Sequence, residues 1–153
     1  MKAKEKDKGR HSNLQYRFNS TNYLKGEVFM GTKSILIIDD NELNIKLIKG
    51  LIKKKRPEYV ILDAVTAEDG IKIAFENIPD LILMDIQLPG MNGLDATKEI
   101  KREKKTRDIP ILALTSYAMD GDEEKAKSSG CSGYITKPIN TKEFLINIER
   151  FLK

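Results

Sequence analysis

From residue 33 onward the chain alternates between short apolar runs and longer stretches whose apolar residues recur every three or four positions. The runs are Ile35–Ile38, Tyr59–Leu62, Leu81–Met84 and Ile109–Leu114, and a further short strand is expected at Gly133–Thr136. Unbroken runs of this length fit strands buried on both faces, as in a parallel sheet. Between them the spacing predicts helices. Asn41-Glu42 opens the first, with a stripe of Leu47, Ile48, Leu51 and Ile52, and Lys53–Arg56 with Pro57 stop it. Leu43 and Ile45 flank that stripe, and one of them is expected to face a partner. Thr66, with Asp69 three residues on, caps a second helix that buries Ala67, Ile71, Ala74, Phe75 and Ile78 and ends at Pro79. Asn92–Glu103 carries Leu94 and Ile100 inward. Met119–Ser128 is helical but poor in large apolar residues, and Gly130 stops it. Asn140 and Glu143 cap a last helix with Phe144, Leu145, Ile148 and Leu152 on its buried face.

Strands and helices in strict alternation predict an α/β domain with helices on both faces of a parallel sheet. The carboxyl ends of all its strands lie on one edge, where such folds bind ligands. That topology brings together residues far apart in sequence: Asp39 and Asp40 after the first strand, Asp85 after the third, Thr115 after the fourth and Lys137 after the fifth. The stretch Leu81–Gly90 is central. A buried strand running straight into a carboxylate holds that group partly out of water, where its charge needs a cation, a proton or a chemical task.

Charge divides the chain. Residues 1–32 hold seven Lys/Arg and three Asp/Glu, while residues 33–153 hold twenty of each. Residues 1–32 therefore read as a basic, disordered tail and 33–153 as the folded domain, which carries no net nucleic-acid signature. No apolar stretch approaches the ~20 residues of a membrane span. The charged N-terminus lacks a signal peptide's apolar segment. A lone Cys131 fits a reducing cytoplasm. The only histidine, His11, lies in the tail, which excludes a multi-His metal site and a histidine-kinase phosphorylation helix. No G-x-x-x-x-G-K-[ST] motif occurs. With the last helix reaching Lys153, no DNA-binding or enzymatic output module is expected.

Three carboxylates meeting in a partly desolvated site repel, by about 4 kcal/mol per pair at ~4 Å and an effective dielectric of ~20. A bound divalent cation relieves that repulsion. An all-oxygen donor set favours Mg²⁺, or Mn²⁺, and an open magnesium shell invites a phosphoryl group. One carboxylate could then act as a nucleophile, as in aspartyl-phosphate chemistry, with Lys137 and the hydroxyl of Thr115 or Ser116 neutralising charge.

These residues, taken together, resemble a response-regulator receiver domain of the CheY-like superfamily. The likeness is carried by Ile35–Asp40, Met84-Asp85-Ile86-Gln87-Leu88-Pro89-Gly90-Met91-Asn92-Gly93, Leu114-Thr115 and Lys137-Pro138, and spans about residues 33–153. A narrower likeness, to stand-alone DivK-type cell-cycle regulators, rests on Asp39–Asn44, Asp80–Pro89 and Gly130 through Pro138. The resemblance implies a flavodoxin-like doubly wound sheet of order 2-1-3-4-5, with Asp85 as phosphoacceptor. It implies Mg²⁺ held by Asp40, Asp85 and the backbone carbonyl of Gln87, with Asp39 acting through water. Lys137 would pair with the phosphoryl oxygens across a cis Lys137–Pro138 bond, Thr115 would be the switch hydroxyl and Tyr134 the switch aromatic. Gln87 and Tyr117 occupy the positions that tune phosphate lifetime. Neither is acidic, which predicts a long-lived phosphoryl group.

The expected function is phosphoryl acceptance from a histidine kinase or histidine phosphotransfer protein, followed by phosphorylation-dependent contact with a downstream protein. Beyond accepting the group and slowly losing it, no enzyme activity is expected. One rival, a haloacid-dehalogenase-type phosphatase, calls for a second Asp two residues after the nucleophile, where this chain has Gln87. The other, a receiver-like module that takes no phosphate, calls for a missing Asp, Thr or Lys, and none is missing.

Overall fold

The computed structural model describes residues 22–24, 27–29, 32–116 and 121–152. Its elements, in order, are β1 (Asn22–Leu24), β2 (Glu27–Phe29), β3 (Ser34–Ile38), α1 (Glu42–Lys55), β4 (Val60–Ala64), α2 (Ala67–Asn77), β5 (Leu81–Asp85), α3 (Gly93–Arg102), β6 (Ile111–Thr115), α4 (Asp122–Ser129), β7 (Gly133–Thr136) and α5 (Thr141–Glu149). Strands β3 to β7 form one parallel sheet of order β4-β3-β5-β6-β7. Counted among those five strands, this is the expected 2-1-3-4-5.

Because side chains alternate across a strand, the apolar runs feed two cores. Ile35, Ile37, Leu81, Leu83, Leu112 and Leu114 pack against α1 and α5. Leu36, Ile38, Ile82, Met84, Ile111 and Ala113 pack against α2, α3 and α4. Burying each Leu or Ile side chain stabilises by about 1.5–3 kcal/mol, which is why the central runs tolerate no polar interruption. Helix starts follow the predicted chemistry. Thr66 accepts a hydrogen bond from the Asp69 N–H at 3.1 Å, and Asn140 accepts from the Lys142 N–H at 3.1 Å. Gly130 ends α4 at φ +106°, a left-handed conformation that suits glycine.

Some expectations are corrected. On α1 the buried side chains are Ile45, Ile48 and Ile52, whereas Leu47 faces outward. Six apolar residues between 43 and 52 fit more than one helical stripe, and the sheet selects the isoleucines. Of the two flanking residues, Leu43 is the outward one, at 75% exposure. On α2, Phe75 and Ile78 are exposed rather than buried; Ile78 is the C-cap, turned outward at φ +47°. On α3 the expectation holds: Ile100 is buried and Leu94 packs half-buried against the same core, with Gly93, Ala96 and Thr97 completing the inner face. Separately, the described residues before 30 pair as an antiparallel ribbon, Asn22 opposite Phe29, Tyr23 opposite Val28 and Leu24 opposite Glu27. Aromatic and β-branched residues favour strands, but three-residue segments are too short to register as an alternating pattern.

Candidate functional site

The carboxyl edge of the sheet assembles the site. Asp39 follows β3, and its N–H bonds to the Ala64 carbonyl at 3.1 Å. Asp85 is the last residue of β5, in register with Leu114 of β6. Lys137 follows β7, and its N–H bonds to the Thr115 carbonyl at 2.7 Å. The side-chain oxygens of Asp39, Asp40 and Asp85 come within 4.8 Å of one another. Asp39 is fully buried, Asp85 is 4% exposed, and Asp40 faces solvent.

Lys137 lies between the two buried acids. Its Nζ donates to Asp39 Oδ2 at 2.9 Å and to Asp85 Oδ2 at 3.1 Å. Part of the repulsion expected of the acids is therefore neutralised by the chain itself. Burial pulls the Lys137 ammonium down, but hydrogen bonds and charge from Asp39 and Asp85 outweigh it and hold its pKa above the ordinary lysine value. At Asp85 burial dominates and raises the carboxyl, against the pull of the Gln87 N–H and of Lys137. The Gln87 N–H donates to Asp85 Oδ1 at 2.9 Å, which fixes the turn after β5.

The backbone beneath Asp85 is held by α3. The Gly93 N–H bonds to the Ile86 carbonyl at 3.2 Å. A Cβ at residue 93 would lie 2.1 Å from the Asp85 carbonyl oxygen, so only glycine lets the helix start this close. Thr97, fully buried, donates its hydroxyl to the Gly93 carbonyl at 2.8 Å.

The other expected residues are distributed as follows. Thr115 ends β6 with a buried side chain. Tyr134 lies on β7 opposite Ala113, 41% exposed. Gln87 is exposed. The Lys137–Pro138 bond is cis. Tyr117 lies outside the described residues, as does Met119, the expected start of α4. Two residues at the site were not picked out for a role from sequence. Gly93 enters the sequence reading only within the Met84–Gly93 motif, although a glycine at a helix start is a cue. Asn44, whose side-chain amide reaches Asp39 at 3.3 Å, enters it only within Asp39–Asn44; its cue is its place on the first helical turns after the acids.

A buried acid bridged by lysine to a second acid, beside an exposed third, at the carboxyl edge of a 2-1-3-4-5 sheet, directs comparison with known proteins. The response regulator receiver domain matches residues 35–149. The chain belongs to that family. It is 44% identical over 121 residues to the polar-differentiation response regulator DivK of Brucella ovis, covering 79% of this chain and 97% of the relative. The receiver domain of a sensor histidine kinase from Pseudomonas aeruginosa PAO1, solved with a magnesium ion coordinated in its active site cleft, is 30% identical. It superposes with a TM-score of 0.72, covering 79% of this chain and 98% of that one. The receiver domain of Saccharomyces cerevisiae Ssk1, solved with the histidine phosphotransfer protein Ypd1, is 28% identical with a TM-score of 0.72, over 79% and 89% of the two chains. This receiver's own cluster suits a hard divalent ion: three carboxylates converge and no nitrogen or sulfur donor joins them among the described residues.

Proposed function

We propose that Asp85 accepts a phosphoryl group from a histidine kinase or histidine phosphotransfer protein, and that the phosphorylated receiver signals by contact with a downstream protein, in cell-cycle control. The observation that carries this reading is the position of Lys137, within hydrogen-bond reach of both Asp39 and Asp85. An ionised Asp85 oxygen attacks phosphorus; the new O–P bond forms as the bond to the donor's imidazole nitrogen breaks, and that nitrogen keeps the electron pair. The Lys137 ammonium, already at the nucleophile, moves to the transferred oxygens and neutralises them. Asp40, Asp85 and the Gln87 backbone carbonyl would hold Mg²⁺, with Asp39 acting through water, and Mn²⁺ suits the same donors. The ion supplies charge neutralisation for a reaction that depends mainly on positioning.

Leu43 and Leu47, exposed on α1, the helix that follows Asp39 and Asp40 in the chain, offer the phosphodonor an apolar contact. The modification adds about −1.5 to −2 charges at the sheet edge. Thr115 is drawn toward them, and Tyr134, half out in solvent, turns into the space it leaves. Helix α4 follows at low cost, because of its eight residues only Ala126 and Ser129 are buried. Shifting the population from 1:99 to 99:1 takes about 5.5 kcal/mol, within reach of a new buried ion pair with its hydrogen bonds. Neither Gln87 nor Tyr117, at the sequence positions that tune phosphate lifetime in receivers, is acidic, so the phosphoryl group is long-lived. The domain itself is residues 33–153 and acts in the cytoplasm; no helix among the described residues is long and apolar enough to cross a membrane, and Cys131 is a buried free thiol.

Incubation with radiolabelled acetyl phosphate tests this. Stoichiometric, Mg²⁺-dependent labelling that disappears in Asp85→Asn is expected. Equal labelling of the two proteins, or labelling indifferent to EDTA, would refute it.

A further inference from the structure

Asn44 has no part in the chemistry above, yet it touches the site. It lies half-buried in the first turns of α1, and its Nδ2 donates to Asp39 Oδ2 at 3.3 Å. An ionised carboxylate only accepts, so the amide nitrogen and not its oxygen faces Asp39. The same Oδ2 accepts from Lys137 Nζ at 2.9 Å, and Oδ1 accepts from the Asn41 N–H at 2.9 Å. Asp39 is fully buried, so solvent offers little replacement for a lost donor. One of these donors, Lys137, is shared with Asp85 and is the one that turns to the phosphoryl oxygens.

We infer that Asn44 is a positioning residue, whose neutral N–H fixes the Asp39 carboxylate so that the acidic cluster keeps its shape for a divalent cation when Lys137 moves away. This rests on the receiver reading proposed above. An amide suits the task. A second cationic side chain would compete with the metal for the cluster, and an apolar one would leave Oδ2 with Lys137 alone.

Calorimetric titration of the full chain with MgCl₂, taken to saturation, tests the inference on wild type, Asn44→Leu, Asn44→Ala, Asp39→Ala and the double variant Asn44→Leu/Asp39→Ala. Loss of an outer partner typically weakens a metal site 10- to 100-fold, so about tenfold weaker Mg²⁺ binding is expected in both Asn44 variants. Alanine serves as the second variant because it removes the donor on a strong helix former. In the Asp39→Ala background, Asn44→Leu should cause no further loss, because the acceptor it positions is gone. A purely structural role would instead lower the thermal midpoint in EDTA and leave Mg²⁺ affinity unchanged. Wild-type affinity in both Asn44 variants, or a tenfold loss that persists without Asp39, overturns the inference. Wild type that binds no Mg²⁺ overturns the receiver reading and this inference together; normal wild-type binding with unaffected variants overturns this inference alone.

Discussion

Helices α3 and α4 pack against each other on the same face of the sheet, but they are held very differently. The first turn of α3 presses Gly93 onto the Asp85 backbone, and Ala96, Thr97 and Ile100 are buried behind it. Its start is capped by Asn92, which accepts from the Asp95 N–H at 2.9 Å. Helix α4 starts at Gly121 without a side-chain cap and buries only two small residues. The phosphoryl transfer proposed for Asp85 needs a nucleophile fixed to within a fraction of an ångström, and α3 is packed to supply that rigidity. The signalling proposed above needs an element whose position is cheap to change, and α4, with two buried residues and no side-chain cap, suits it. One face of the sheet thus carries both a fixed and a loose support, separated by the groove between two adjacent helices.

Substitutions can break this contrast, and the largest effect is expected at Gly93. A methyl group there meets backbone, which cannot give way as a flexible side chain can. Gly93→Ala should cost about 3 kcal/mol or more in urea unfolding and sharply reduce acetyl phosphate labelling. A stable, fully labelled Gly93→Ala protein would mean that α3 does not anchor the site. Ile100→Ala, deeper on the same helix, should cost about 2–5 kcal/mol. On α4, Ala126→Gly should cost only about 1 kcal/mol and leave labelling intact. Equal costs on the two helices would erase the distinction.

A smaller effect concerns the buried acid itself. Burial raises the Asp85 carboxyl, so folding favours its protonated form. That contribution is fully present below its ordinary value of about 3.9 and is lost as pH rises through the raised folded value. Asp85→Asn, neutral throughout, should therefore melt higher than wild type at pH 7 in EDTA, and the gain should shrink toward pH 3. The pull of a charged Lys137 works against this sign and is already included in the balance at Asp85, where burial outweighs it. A metal-free Asp85→Asn protein that melts lower than wild type at pH 7 would show that the Lys137 bond outweighs desolvation.

Much of this was legible in the sequence because its signals were local and redundant. Ile35–Ile38 and Leu81–Met84 admit no reading but a buried strand once their neighbours cap helices, and the acids that end them fall at one edge by topology alone. Thr66 with Asp69 announced α2, and Asn140 announced α5. What was hidden depended on tertiary choice. Nothing local to residues 43–52 tells Ile45 from Leu47; only the sheet against which α1 packs does so. Phe75 and Ile78 fit a buried helical face by spacing, but Ile78 is the C-cap, turned outward where α2 ends, and Phe75 is exposed within the helix. The bridging of Asp39 and Asp85 by Lys137 could not be read, because expecting the lysine to face a phosphoryl group says nothing of its partners at rest. Asn44 was hidden for a simpler reason: a polar residue early in a helix is ordinary until an acid is seen beside it.

The chemical assignment of Asp85 is tested most directly by locating the phosphoryl group. After reaction with acetyl phosphate and Mg²⁺, borohydride reduces an acyl phosphate to an alcohol, and peptide mass spectrometry finds the altered residue. A single reduced residue at Asp85 is the expected result. Reduction at Asp39 or Asp40 instead, or a phosphate that survives borohydride on a serine or threonine, would contradict it.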